Sequence, residues 1–285
     1  LNFHHFLLAI LKIGLAFLIL FLFAPIIFAQ RVVSLAPGIT EIVFALNRGG
    51  TLVGVTKFCD YPAAAKSIKQ IGGLLDVNIE VIASLAPDII LIYPEHYDKV
   101  KFLRQKTRIV TVQHGRLAEL LSSILVIGRA LGAEIEAKRL VARIQAKLQG
   151  ISVHAKGKKK VRAMFIAGRN IDELKNMYII GKNDFINDLL EIAGGTNAYD
   201  GSVNYPSISM ESVIFLNPEF IFELSSHYEG ISDEKILNLW RPYQMIVAVK
   251  KKRIEIINKS FWLRPGPRVS LIAEELAGFF ATVEN

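Results

Sequence analysis

One short pattern occurs twice in the chain, as EVIASLAPDII at 80–90 and as ESVIFLNPEFI at 211–221, 131 residues apart. Each copy reads Glu, a stretch with helical spacing, Leu, Pro, an acid and a run of apolar residues. Proline cannot continue a helix, so each copy predicts a short helix closed at its proline and a strand directly after it. A chain of 285 residues has room for two ordinary domains, and a recurring helix–strand step points to two halves built alike.

The runs around the first copy extend this reading. RVVSLAP (31–37), TLVGVT (51–56), DIILIY (88–93) and RIVTV (108–112) are short, nearly all apolar and bounded by turn residues. That is the pattern of strands covered on both faces, as in a parallel sheet. ITEIVFALN (39–47) has helical spacing, with Thr40 as a candidate cap and Gly49–Gly50 as a stop. The second half repeats the order: a strand at 161–168, a helix at 183–195 capped by Asn183 or Asp184, the Glu–Leu–Pro helix at 209–218 and a strand at 219–224. A strand at 253–258 and a helix at 268–283 follow, and GGT follows the first helix of each half, at 49–51 and 194–196.

Residues 117–153 are helical without a β-like run, and Leu140, Ile144 and Leu148 recur on one face. A helix over 133–152 would be roughly 30 Å long. The expected fold is α/β, with two Rossmann-like lobes at 30–132 and 156–285 bridged by one long helix within 133–155.

Residues 13–29 carry no charge, Lys12 precedes them and FAQ follows at 28–30. This pattern predicts a cleavable secretory signal over 1–29 and a mature chain of 30–285. The competing reading is an uncleaved membrane anchor, since the run is close to the shortest spanning length of about 17 residues. No Cys follows the run, which argues against a lipid-anchored N-terminus. The single cysteine, Cys59, cannot form an internal disulfide and is either a cleft contact or a buried filler.

The formal charge is +8, and much of the basic excess sits in KGKKK (156–160) and KKKR (250–253). Both runs precede apolar strands and lack interleaved aromatics, so they read as solvated turns. Together with export, this argues against nucleic acid and leaves a weak attraction to anionic lipid headgroups open.

The chain contains no G-x-S-x-G, no G-x-x-x-x-G-K-[ST] and no G-x-G-x-x-G. His96, His114, His154 and His227 stand singly, without metal-ligand spacing. Nothing in the sequence points to catalysis, a resident metal or a cofactor. The loops after the strands instead gather Pro37, Gly38, Phe58 to Tyr61, Leu74, Leu75, Tyr93, Tyr205–Pro206 and FWLRPGPR (261–268). Ligands of open α/β sheets bind at that end, and rigid aromatics with a few polar groups suit a binding cleft. Trp262 and Arg264 stand on a loop stiffened by Pro265 and Pro267; the competing reading packs Trp262 beneath that loop.

With these residues in view, the chain resembles a known family. RVVSLAPGITEIVFALN, LVGVTKFCDYP, NIEVIASLAPDIILI, YPSISMESVIFLNPEFI and RPGPRV are similar, in order and over essentially all of 31–283, to the helical-backbone periplasmic binding proteins of ABC importers for cobalamin, iron–siderophores and haem. The cobalamin-binding branch is the most similar. The resemblance implies two α/β lobes bridged by a long helix, small closure on ligand, no catalysis, and a monomer in the periplasm. It implies a ligand site at Pro37, Tyr61, Leu74, Tyr205, Trp262 and Arg264. Leu74 stands where the cobalamin-binding branch has a tryptophan. Haem binders carry a tyrosine ligand near that loop, and none lies between 71 and 79. The resemblance also implies that Glu80 and Glu211 meet arginines of an inner-membrane permease, while N-terminal helix charge is the alternative role for each. A ferric-siderophore carrier, in which Arg169, Arg264 and Arg268 would meet anionic oxygens, is the second reading, and a membrane-tethered enzyme or sensor domain the third.

Overall fold

The computed structural model describes residues 30–283 apart from 227 and 229, so the expected signal segment lies outside the described residues. The first sheet holds β1 (Val32–Ser34), β2 (Leu52–Val55), β3 (Ile89–Ile92) and β4 (Arg108–Thr111) in the order β2-β1-β3-β4. All its pairings are parallel. The second sheet is built around β5 (Val161–Gly168), β7 (Gly195–Asn197), β9 (Phe220–Leu224) and β10 (Ile254–Ile257). β7 and β9 flank β5, and β10 flanks β9, all in parallel. The order β7-β5-β9-β10 repeats that of the first sheet. An antiparallel extension of β6 (Met177–Ile179) and β8 (Ser207–Ile208) adds to the second.

The duplicated pattern has a physical purpose in this layout. α2 (Ile79–Ser84) and α6 (Met210–Leu216) are capped by Asn78 and Ser209, whose side chains accept from Val81 and Ser212 at 3.0 and 3.3 Å. Ile82 and Val213 are the buried residues of the two helices. Each helix then reaches a residue in left-handed backbone, Ala86 and Asn217, both at φ +42°. An arginine from the start of the neighbouring strand satisfies the leucine carbonyl in each copy, Arg31 on Leu85 at 2.8 Å and Arg162 on Leu216 at 2.9 Å. The acid after the proline accepts that arginine's backbone N–H, at 2.8 Å for Asp88 and 3.0 Å for Glu219. Free helix-end carbonyls need such partners, and in each copy an arginine supplies one.

α1 (Pro37–Ala45) starts two residues earlier than its apolar spacing suggests. Proline fits the first helical position, where its missing N–H is no loss, so Ala36 is the N-cap. Thr40, the expected cap, lies inside the helix and donates to Ser34 at 2.8 Å. α3 (Leu117–Ala130) leads into the long α4 (Glu134–Ala155), whose 22 residues span roughly 33 Å. Ala137, Leu140, Ile144 and Leu148 form its buried stripe. α5 (Phe185–Ile192), capped by Asp184 through a 2.8 Å bond from Ile186, and α8 (Val269–Ala281) pack on the same side. α7 (Asp233–Trp240), like β6 and β8, lies where the sequence suggested no element.

Alternation along the strands divides the core. Val32, Ile89 and Leu91 of the first sheet and Ala163, Phe165, Phe220 and Phe222 of the second join one cluster that also holds the α4 stripe. Val33, Ile90 and Ile92 face a separate cluster, and Met164, Ile166 and Ile221 a third. Both sheets are therefore covered on both faces, which is why their strands read as unbroken apolar runs. Among the described residues no helix is long and apolar enough to cross a membrane.

Left-handed backbone costs an L-residue about 1–2 kcal/mol, and exposed Ala86 pays this without a side-chain bond in return. Ala86→Gly should therefore raise the unfolding free energy by roughly 0.5–1 kcal/mol after the entropy of glycine is subtracted. Urea unfolding followed by circular dichroism checks this; a midpoint at or below the parent's contradicts it.

Candidate functional site

The carboxyl ends of the two sheets point at each other, because loops after β1, β2 and β3 meet the loop after β10. The Tyr93 hydroxyl lies 3.4 Å from the Pro265 carbonyl oxygen. A Cβ at Gly38 would stand 2.1 Å from the same oxygen, so this approach requires glycine. Arg268 donates to both carboxylate oxygens of Glu41, at 2.8 and 2.5 Å, and Arg264 donates to Asp60. Farther along, Arg116 holds Asp188 at 2.9 Å, and Asp188 also accepts from the Leu117 N–H at 2.8 Å.

These ion pairs differ in weight. The Glu41 side chain is 3% exposed and that of Arg268 19%. Burial pushes the Glu41 carboxyl up, against the hydrogen bond and charge of Arg268, so the carboxylate depends on that arginine. Asp60 is 45% exposed, and the Arg264 guanidinium holds its carboxyl below the usual range. The Arg264 side chain is itself only 14% exposed, but water reaches Asp60 and screens the pair, so losing the arginine strands no buried charge.

Two tyrosines stand half-exposed at these loops, Tyr61 in the first lobe and Tyr205 in the second. The Arg268 guanidinium lies 4.0 Å from the Tyr61 ring centroid, so a single cation serves Glu41 and covers one face of the ring. Tyr61 also borders a cavity of about 420 Å³ shared with Phe44, Leu140 and Ile144 of the flanking helices. The Tyr205 hydroxyl donates to Asp184 at 2.5 Å. Asp184 thus caps α5 with one oxygen and fixes Tyr205 with the other. Burial raises its carboxyl while these two bonds oppose the shift. His114 packs on Tyr93 with the rings tilted by 42° and their centroids 4.1 Å apart, and it lies 3.2 Å from Glu95.

Trp262 corrects an expectation. It was expected to offer a ring to the ligand, but it is fully buried, 5.9 Å from Phe222 and 6.4 Å from Phe165, and its indole N–H donates to Glu275 at 3.0 Å. The turn Ser260–Leu263 points the largest apolar side chain inward, where it fills the core under α8, and leaves Leu263 partly exposed. Arg264 reaches the same region as Tyr61, but its donors face Asp60. Pro37 opens α1 and Leu74 packs partly buried against the shared core. Cys59 is buried, its sulfur 3.2 Å from the hydroxyls of Thr40 and Thr56, which makes it a filler. Burial pushes its thiol up. Arg169, a candidate for anionic ligands, is buried in an ion pair with Glu223, which also accepts from Trp240 at 2.8 Å. Glu80 and Glu211 are exposed in the first turns of α2 and α6.

Sequence reasoning missed Glu41, Arg268, Asp184 and Asp188 as the residues that hold the loops. A cap signal marked Asp184, but no spacing joins Glu41 to Arg268 across 227 positions.

Comparison with known proteins decides what kind of cleft this is. The periplasmic binding protein family matches residues 32–260. The chain belongs to that family. An uncharacterized ABC transporter substrate-binding lipoprotein of Bacillus subtilis, YvrC, is 30% identical over 87% of this chain and 79% of its own. A vitamin B12-binding protein of Vibrio vulnificus is 27% identical over 92% of this chain and 93% of its own. Among solved structures, a possible iron-binding periplasmic solute-binding protein of Staphylococcus epidermidis superposes with a TM-score of 0.75 at 28% identity, covering 88% of this chain and 98% of that one. As a periplasmic binding protein, the chain is the substrate-binding component of an ABC transporter, with a permease as partner and a small molecule as cargo.

The two lobe-joining arginines of this binding protein should respond differently to truncation. Arg268→Ala strands a buried carboxylate and should cost about 3–5 kcal/mol of stability. Arg264→Ala should cost no more than about 1 kcal/mol. Denaturant unfolding of both variants checks this; equal losses would contradict the difference in burial.

Proposed function

We propose that this binding protein captures cobalamin or a related corrinoid between its lobes in the periplasm, as a monomer, and delivers it to an inner-membrane permease. The observation that carries the reading is the likeness to the vitamin B12-binding protein, which covers 92% of this chain and so both lobes. Tyr61 and Tyr205 fit as stacking surfaces for a flat macrocycle, each ring being half-exposed and held from behind. Pro37 and Leu74 supply apolar contact. Arg264 supplies hydrogen bonds to peripheral amides once it leaves Asp60, an exchange made easy by the weakness of that pair. The burial of Arg169 and its pairing with Glu223 favour an uncharged periphery over the anionic oxygens of a siderophore. A siderophore remains the second reading because of the likeness to the possible iron-binding protein.

Equilibrium titration of the purified protein with cyanocobalamin tests the ligand. Binding with micromolar or tighter affinity is expected, and weaker binding of haemin and ferric siderophores. No corrinoid binding at micromolar concentration would contradict the proposal.

Glu80 and Glu211 are the proposed contacts with the permease. They are 131 residues apart in sequence, equivalent in the two lobes and exposed near the cleft end of each sheet. Hydrogen bonding from Ser209 holds the Glu211 carboxyl below its usual range, so it stays charged. Matched charges on two lobes fix docking orientation and partner choice. Replacing both with Ala should leave corrinoid binding unchanged and abolish uptake in cells. Loss of ligand binding in the double variant would place the two residues in the cleft instead.

A further inference from the structure

The two lysine runs, unremarkable as sequence, converge in the fold. In a parallel sheet every strand starts at the same edge. Lys156–Lys160 lead into β5, and Lys250–Arg253 lead into β10, with only β9 between them. Neighbouring strands lie about 4.8 Å apart, so runs 90 positions apart in sequence end within about 10 Å of each other. Contacts confirm it at Pro218–Glu219, the start of β9. Lys159 lies 3.4 Å from Glu219, and the Ala248 N–H donates to the Pro218 carbonyl at 3.0 Å. The segments 156–162, 218–220 and 250–255 hold nine basic residues and two acids, Glu219 and Glu255. The six lysines outside the Glu219 contact are exposed.

A groove opens beside this basic edge. Its volume is about 800 Å³, and it runs between the C-terminal half of α4, the start of β5 and α8. Ile151, Ala155, Ala277, Phe280 and Val283 line it together with Lys159 and Lys160. Val153, at the same end of α4, is 58% exposed. Among the described residues two acids reach the groove, and both are paired: Glu274 with Lys147 at 3.2 Å and Glu219 with Lys159. This pole lies at the amino ends of the strands, opposite the cleft.

We propose that this pole docks on the surface of an anionic phospholipid bilayer. Charge complementarity selects the partner. A dense lysine edge attracts phosphate headgroups within a Debye length, and the adjacent apolar groove accepts part of an acyl chain. Lysines without interleaved aromatics do not provide a stacking surface for nucleic acid. The orientation leaves the cleft, with Glu80 and Glu211, facing away from the bilayer and open to ligand. The surface is independent of which ligand the cleft holds.

Flotation of the full chain with vesicles tests this. One set is phosphatidylcholine alone and the other contains phosphatidylglycerol as well. The excess binding to anionic vesicles is the readout, since an apolar N-terminal segment would bind both sets. That excess should disappear at high salt. Each lysine at such a surface contributes roughly fivefold in binding, so K250Q/K251Q/K252Q should lower the excess by at least about tenfold. K156Q/K159Q/K160Q should do the same, with cyanocobalamin binding unchanged in both variants. Equal binding to the two vesicle sets, or an excess that survives in both triple variants, overturns the proposal.

Discussion

The structure depends on one apolar core that passes through the long helix α4 from the first lobe to the second. Ala137, Leu140, Ile144 and Leu148 belong to the same buried cluster as Val32 and Leu91 on one side and Phe165 and Phe222 on the other. Rotating one lobe against the other would bring these side chains into water, at about 1.5–3 kcal/mol for each leucine or phenylalanine exposed. The Glu41–Arg268 pair adds a second tie near the cleft, and it is buried enough that breaking it is expensive. Large hinge closure is therefore disfavoured. Ligand recognition falls instead to loops and side chains that move locally, such as Arg264 on its exposed partner Asp60.

Duplication explains how this substrate-binding chain acquires a cleft. Two sheets with the same strand order face each other at their carboxyl ends, which is where open α/β sheets bind ligands. The repeated motif closes the other end of each sheet. Arg31 and Arg162 cap the leucine carbonyls of α2 and α6, and the acids after the prolines return a bond to each arginine's own backbone. The leucine, proline and acid of the motif thus serve architecture. Its glutamates, Glu80 and Glu211, form no ion pair among the described residues and sit on the exposed first turns of the two helices.

Much of this was legible in the sequence because it rests on local chemistry. Apolar runs between turn residues located the main strands, and the spacing of Leu140, Ile144 and Leu148 located the buried stripe of α4. β6 and β8 were not legible: three and two residues long, they pair antiparallel at an edge and are too short to show a period. Thr40 looked like a cap because capping residues are recognised by type, while Pro37 set the true start. The cleft was harder. Exposure of an aromatic depends on which way a turn aims it, so Trp262 and Tyr205 carry similar signals yet one is buried and the other half-exposed. Pairings such as Glu41–Arg268 and Arg116–Asp188 join distant positions and leave no trace in local spacing.

The most direct measurement is hydrogen–deuterium exchange of the protein with and without cyanocobalamin. Binding between the lobes with little closure predicts added protection in the loops around Tyr61, Tyr93, Tyr205 and Arg264, with α4 and the lysine-rich pole unchanged. Protection confined to the groove between α4 and α8, or exchange altered along α4 itself, would contradict it.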